Sequence, residues 1–138
     1  MLRRWVTPLV IVAALLSVAL AIRIGLAKMS QRKRQLEYRN ITNMYSEALK
    51  AGSTREIVEA YLRSHGKSFQ QSSGHTNAWD DLVRIGQERG PWYCDEVNVY
   101  VVFVFDGPDR LAKNELPSSK GNDNLVDVEL LERAEGCM

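Results

Sequence analysis

Val97 to Asp106, VNVYVVFVFD, is a run of Val, Tyr and Phe with no helix former of note. Branched and aromatic side chains lose rotamer freedom in a helix but pack well on a pleated surface, so the run reads as a strand. Its odd-numbered face, Val97, Val99, Val101, Phe103 and Phe105, is wholly apolar, and its even face, Asn98, Tyr100, Val102 and Val104, is half apolar. A strand covered on one side and partly on the other belongs inside an antiparallel sheet with helices packed on one face. Gly107-Pro108 ends it.

Toward the C-terminus, Leu125 to Glu132 (LVDVELLE) alternates again, with Val126, Val128 and Leu130 on one face and Asp127 and Glu129 on the other. Antiparallel partners keep a constant sum of residue numbers. If Phe105 pairs with Val126, then Phe103 meets Val128 and Val101 meets Leu130, and apolar faces match. The same register sets Cys94 opposite Cys137, the candidate disulfide. Closing that loop would stabilise the fold by about 4 kcal/mol in the chain-entropy description. The alternative is two free thiols in a reducing cytosol. The polar stretch Asp109 to Asn124 between the strands, with Pro117 and Gly121, is long for a loop inside a compact domain, and reads as mobile or as a contact surface.

Toward the N-terminus, Arg89-Gly90-Pro91 forces a turn, and Trp79 to Gln87 fits a brief strand or one helical turn. Lys67 to Asn77 is a polar connector around Phe69 whose first residues could form a short strand. Two helices come before it. The first starts at Ser30 and carries Leu36, Tyr38, Ile41, Met44, Tyr45, Ala48 and Leu49 at steps of three and four, and Gly52 ends it in a left-handed conformation. Ser53-Thr54-Arg55-Glu56 reads as a capping box for the second, whose stripe is Ile57, Val58, Tyr61 and Leu62 and which Gly66 stops.

Trp5 to Ile22, WVTPLVIVAALLSVALAI, has no charged side chain. At ~1.5 Å of rise per residue it covers about 27 Å as a helix, the reach of a membrane span. Met1-Leu-Arg-Arg and Ala19-Leu20-Ala21 also suit a cleaved secretory signal. The run continues through Ile24, Gly25 and Leu26, which favours retention as a signal anchor. No cysteine lies near this end for lipid attachment. The organisation expected is a transmembrane helix over 1–27, a basic juxtamembrane segment over 28–35 and a small domain over 36–138.

Orientation is contested. Arg3 and Arg4 precede the apolar run, while Arg23, Lys28, Arg32, Lys33, Arg34 and Arg39 follow it, which by the positive-inside rule puts the domain in the cytoplasm. A disulfide would instead place it in an oxidising compartment, and export is the expectation adopted. With 18 Lys+Arg against 17 Asp+Glu the net charge is +1, so no global field argues for nucleic acid. The basic cluster sits where lipid headgroups would be and reads first as a solvated juxtamembrane flank, ahead of specific lipid or nucleic-acid binding; the bilayer around the apolar run is the first expected partner.

Ala51-Gly52-Ser53-Thr54, followed by Val58 and Leu62, resembles the helix start of the SmpA/OmlA (BamE-like) envelope proteins. The resemblance implies two helices packed on a three-stranded antiparallel sheet, similar to beta-lactamase inhibitory protein repeats, over about residues 36 to 133. Trp92-Tyr93-Cys94 and Glu135-Gly136-Cys137 are also similar to single-pass bacterial membrane proteins. Here a membrane helix stands where the BamE-like proteins carry a lipidated cysteine, and the loop before the last strand is longer. The implied setting is the bacterial inner membrane, with other envelope proteins as partners.

Groupings that would carry chemistry are sparse. His65 and His75 have no metal spacing to each other or to Cys94 and Cys137. The adjacent carboxylates Asp80-Asp81 and Asp95-Glu96 would point to opposite sides of a strand, which does not make an acid/base dyad. Ser72-Ser73-Gly74-His75 holds a nucleophile and a base with no orienting acid or oxyanion site in view. The expectation is therefore an α+β domain that is not an enzyme, with no catalytic, cofactor or metal site: a membrane-anchored interaction or assembly module. The alternative is a small-ligand or sensing domain using Trp79, Trp92, Tyr93 and Tyr100.

Overall fold

The computed structural model describes residues 3–73, 79–106 and 123–138, with side chains described for 15–72, 79–106 and 123–138. His75 and nearly all of the Asp109 to Asn124 stretch lie outside the described residues. The chain divides into two units, Met1–Glu37 and Tyr38–Met138.

Helix α1 runs without a break from Arg3 to Ala48. The basic juxtamembrane segment over 28–35 lies within this helix, which runs through Ser30 rather than starting there, since Arg, Lys and Gln are good helix formers and no proline interrupts them. In the first unit every described large apolar side chain, Leu15, Leu16, Val18, Leu20, Ile22, Ile24, Leu26, Met29 and Leu36, is exposed; Leu36 was expected on the buried stripe. Among the described residues no helix is long and apolar enough to cross a membrane. The first ten residues of the Trp5–Ile22 run lie outside the described side chains.

In the second unit α1 contributes Tyr38, Tyr45 and Leu49 to the core, while Met44 is exposed. Gly52 (φ 89°) follows its end. Helix α2 spans Arg55–Ser64 and closes with two bonds that satisfy its last carbonyls, Gly66 N–H to Arg63 O (3.0 Å) and Lys67 N–H to Leu62 O (2.9 Å). Gly66 takes φ 65°, as expected of a residue at that place.

Four strands follow, β1 (Gln70–Ser73), β2 (Trp79–Arg89), β3 (Glu96–Asp106) and β4 (Asn124–Glu135), in the order β1-β2-β3-β4 and antiparallel throughout. This is one strand more than the three expected. The addition is β1, polar Gln-Gln-Ser-Ser, which exists because β2 offers it backbone partners from Trp79 to Leu82. Val83, Val101, Phe103, Phe105 and Leu125 form the helix-facing core with Tyr45, Leu49, Val58 and Leu62. The opposite face gathers Leu82, Tyr100, Val102 and Val104.

The β3–β4 register agrees with expectation at Phe103↔Val128 and Val101↔Leu130. It departs at Phe105, which pairs with Leu125 because a bulge follows Val104. Leu125 is therefore 2% exposed and Val126 50%. A second irregularity, between Arg84 and Gly86 of β2, receives Tyr38. A Cβ on Gly86 would lie 2.5 Å from the Tyr38 ring, whose hydroxyl donates to Glu88 Oε1 at 3.1 Å. Gly86→Ala should displace this ring and destabilise the second unit by about 1–3 kcal/mol, read as a lower denaturant midpoint at unchanged slope.

Candidate functional site

The largest fully buried side chain is a charged one, Arg55. It opens α2, and its guanidinium turns inward across the end of the sheet. Nε donates to Asp123 Oδ2 (3.0 Å), Nη1 to Asp81 Oδ1 (2.7 Å) and Nη2 to the Trp79 carbonyl. Its Cζ lies 3.9 Å from the centroid of the Phe105 ring, a cation on the negative face of an aromatic. All three charged groups are fully buried.

Further polar groups surround this network. Gln71 Nε2 donates to Asp81 Oδ1 (3.2 Å) and to Glu59 Oε1 (3.5 Å). Glu59, itself buried, also accepts from Arg63 Nη2 at 2.5 Å. Asp80 Oδ1 accepts from the Phe105 N–H at 3.3 Å. The backbone joins the same point: Arg55 N–H donates to Asp123 O (3.0 Å), Gly52 N–H to Leu125 O (2.7 Å) and Leu125 N–H to Ser53 O (2.8 Å). Thr54 thus enters the helix in extended conformation, bridged to Asn124, and makes no side-chain capping bond. The expected capping box is replaced by strand-like pairing.

Burial pushes the Asp81 carboxyl up to about 6 from 3.8. Arg55 and the bond from Gln71 oppose that rise, and Glu59 and Asp80 add to it. The geometry agrees, because Arg55 divides its charge between two carboxylates and Asp81 Oδ2 has no hydrogen-bond partner among the described residues. A proton has a place there. Among the described residues the three charged side chains are fully enclosed, and together they tie α2, β2 and the start of β4 to one another.

The residues singled out in the sequence are dispersed. Cys94 and Cys137 form a disulfide. Trp92 and Tyr93 stand beside it, edge to face at 5.7 Å, with Trp92 90% exposed. Tyr100 lies mid-sheet with its hydroxyl donating to Glu135 Oε1 (3.2 Å), and Trp79 begins β2. The four aromatics do not converge on one pocket. His65 caps α2 at the surface, stacked on Tyr61 at 4.2 Å. Among the described residues no three His, Cys, Asp or Glu side chains are grouped to hold a metal ion.

No family model, no curated protein and no solved structure matches this chain.

The expected stripe of α2 holds at Val58, Leu62 and the half-buried Tyr61, but it includes Ile57 and omits Arg55 and Glu59. Arg55, Val58, Glu59 and Leu62 are the buried positions, and Ile57 is 55% exposed. A sign was present: Arg55 and Glu59 stand four apart, in phase with Val58 and Leu62.

Two outcomes test this account by chemical denaturation. Arg55→Ala should cost about 3–5 kcal/mol, since it leaves buried carboxylates without their cation. Asp81 holds its proton more tightly folded than unfolded, so its contribution is complete below pH 3.8 and is lost as pH rises through about 6. Asp81→Asn should flatten the fall in stability across that window.

Proposed function

We propose that this chain is a single-pass membrane-anchored protein whose α+β domain is a non-catalytic interaction or assembly module of the bacterial envelope. The observation that carries the reading is the uncharged Trp5–Ile22 run, continued by a helix whose large apolar side chains are exposed as far as Met29. Left in water, that surface costs about 25 cal/mol for each Å². A bilayer removes the cost, and Arg23, Lys28, Arg32, Lys33 and Arg34 suit its headgroup boundary.

The Cys94–Cys137 disulfide supports an extracytoplasmic domain at the inner membrane, against the count of flanking Lys and Arg. Two helices on one face of an antiparallel meander support the likeness to SmpA/OmlA (BamE-like) proteins, with β1 as an added strand. A module role is supported by the direction of the polar groups, which converge inside the core.

A second reading, a small-ligand or sensing domain, is favoured by one cleft. It measures about 220 Å³ and is lined by Ser68, Phe69, Gln70, Leu82, Arg84 and Tyr100. A ligand seated there would perturb Tyr100 and Phe69 before it touched the disulfide corner.

Labelling with a membrane-impermeant maleimide in cells with an intact inner membrane tests the main reading. Cys94 and Cys137 should react only after reduction, and the chain should stay in the membrane pellet at alkaline pH. Labelling that needs lysis and no reductant sinks the exported orientation, and release at alkaline pH sinks the anchor.

A further inference from the structure

The turn from Gly90 to Asp95, between β2 and β3, exposes what a small domain ordinarily hides. Trp92 is 90% exposed and Tyr93 47%, and beside them Met138 is 97% exposed with its N–H donated to Tyr93 O at 2.9 Å. Pro91, whose carbonyl accepts the Cys94 N–H at 2.9 Å, completes an apolar knob.

This knob is held in place from several directions. The disulfide joins Cys94 to Cys137. Gly90 lies so close to Cys94 that a Cβ there would meet its carbonyl oxygen at 2.9 Å, and a Cβ on Gly136 would collide with the Asp95 carboxylate. Aromatic side chains fixed at a convex point lose little conformational freedom on docking.

Its position in the domain names the partner. The chain enters the second unit at Tyr38, whose ring rests on Gly86 and whose hydroxyl reaches Glu88. Trp92 is four residues beyond Glu88, so tether attachment and aromatic knob share one end of the sheet. Ten residues, Lys28 to Glu37, separate the apolar run from Tyr38, a tether of about 15 Å in helical form. Charge does not drive this contact: against Arg89 the same end carries Asp95, Glu96 and Glu135. Glu96 accepts from Gln87 and Asn98, and Glu135 from Tyr100. Trp and Tyr settle at the boundary between headgroups and acyl chains because one part of each ring is apolar and another donates a hydrogen bond.

We propose that Trp92 and Tyr93 form a second membrane contact, inserting into the interfacial layer of the bilayer in which the N-terminal segment is anchored. The contact rests on the anchored reading above. It makes the domain lie against the lipid surface by its disulfide corner, leaving the Arg55 end farthest from the membrane.

Tryptophan quenching separates the two contacts. The full chain is placed in phosphatidylethanolamine and phosphatidylglycerol vesicles whose acyl chains carry bromine near the headgroup end. Trp5→Phe with Trp79→Phe leaves Trp92 as the reporter, and Trp79→Phe with Trp92→Phe leaves Trp5. Both reporters should lose emission, Trp92 by about twofold or more, and raised salt should leave its loss unchanged. Quenching at Trp5 alone overturns the corner contact and keeps the anchor. Quenching at Trp92 alone keeps the contact and overturns the anchor, and quenching at neither overturns both. If Trp79→Phe impairs folding, the difference between the unaltered chain and Trp92→Phe gives the same answer, because the Trp92 side chain is almost wholly outside the core.

Discussion

One buried cation fixes where three elements of the second unit meet. Arg55 holds the start of α2 to β2 through Asp81 and to the start of β4 through Asp123, spanning 26 and 68 residues of sequence. A buried charge is favourable only when partners are in place, so the network tolerates little displacement of these three elements. The apolar core beside it could accept several packings of Val and Leu. The network accepts one, because three donors of the guanidinium must each meet an acceptor.

The disulfide does a related task at the opposite end. β3 and β4 pair from Glu96↔Glu135 to Asp106↔Asn124, and the two fastenings lie beyond the two ends of that ladder. Between them the pairing keeps one register apart from the bulge after Val104, so a slip of one residue would reverse every face and break both ends at once. The bulge turns Leu125 into the core and brings the backbone at Asp123 to Leu125 within reach of Gly52, Ser53 and Arg55.

The β3–β4 pair was legible in the sequence because a period of two and two cysteines pointed to one alignment. The bulge was not, since Leu125 and Val126 are neighbours of equal hydrophobicity and either could turn inward. Strand β1 has no strand propensity of its own, and its conformation comes from the edge of β2. The continuity of α1 was hidden by a shift in composition near Lys28 that looks like a boundary and contains no helix breaker. The Arg55 network was illegible for a stronger reason: Arg55 was read as part of a capping box and Asp123 as part of the long polar stretch, and only the fold brings Asp81 and Asp123 to a cation so far away in sequence. The aromatic set was read as a possible ligand site, and the sheet instead separates Tyr100 from Trp92 and Tyr93.

The strict order of the meander affects how the domain comes into being. Each strand docks on the one made just before it, so β1 to β3 can assemble as they arrive, but Asp123, the whole of β4 and Cys137 come last. Until residues 123–137 are present, Arg55 lacks one of its anions, β3 has an open edge beside Phe103 and Phe105, and Cys94 has no partner thiol. A chain made from its N-terminus therefore lacks both fastenings until residues 123–137 have been added. It then closes its electrostatic and covalent fastenings almost together, as a clasp does at the end of a chain.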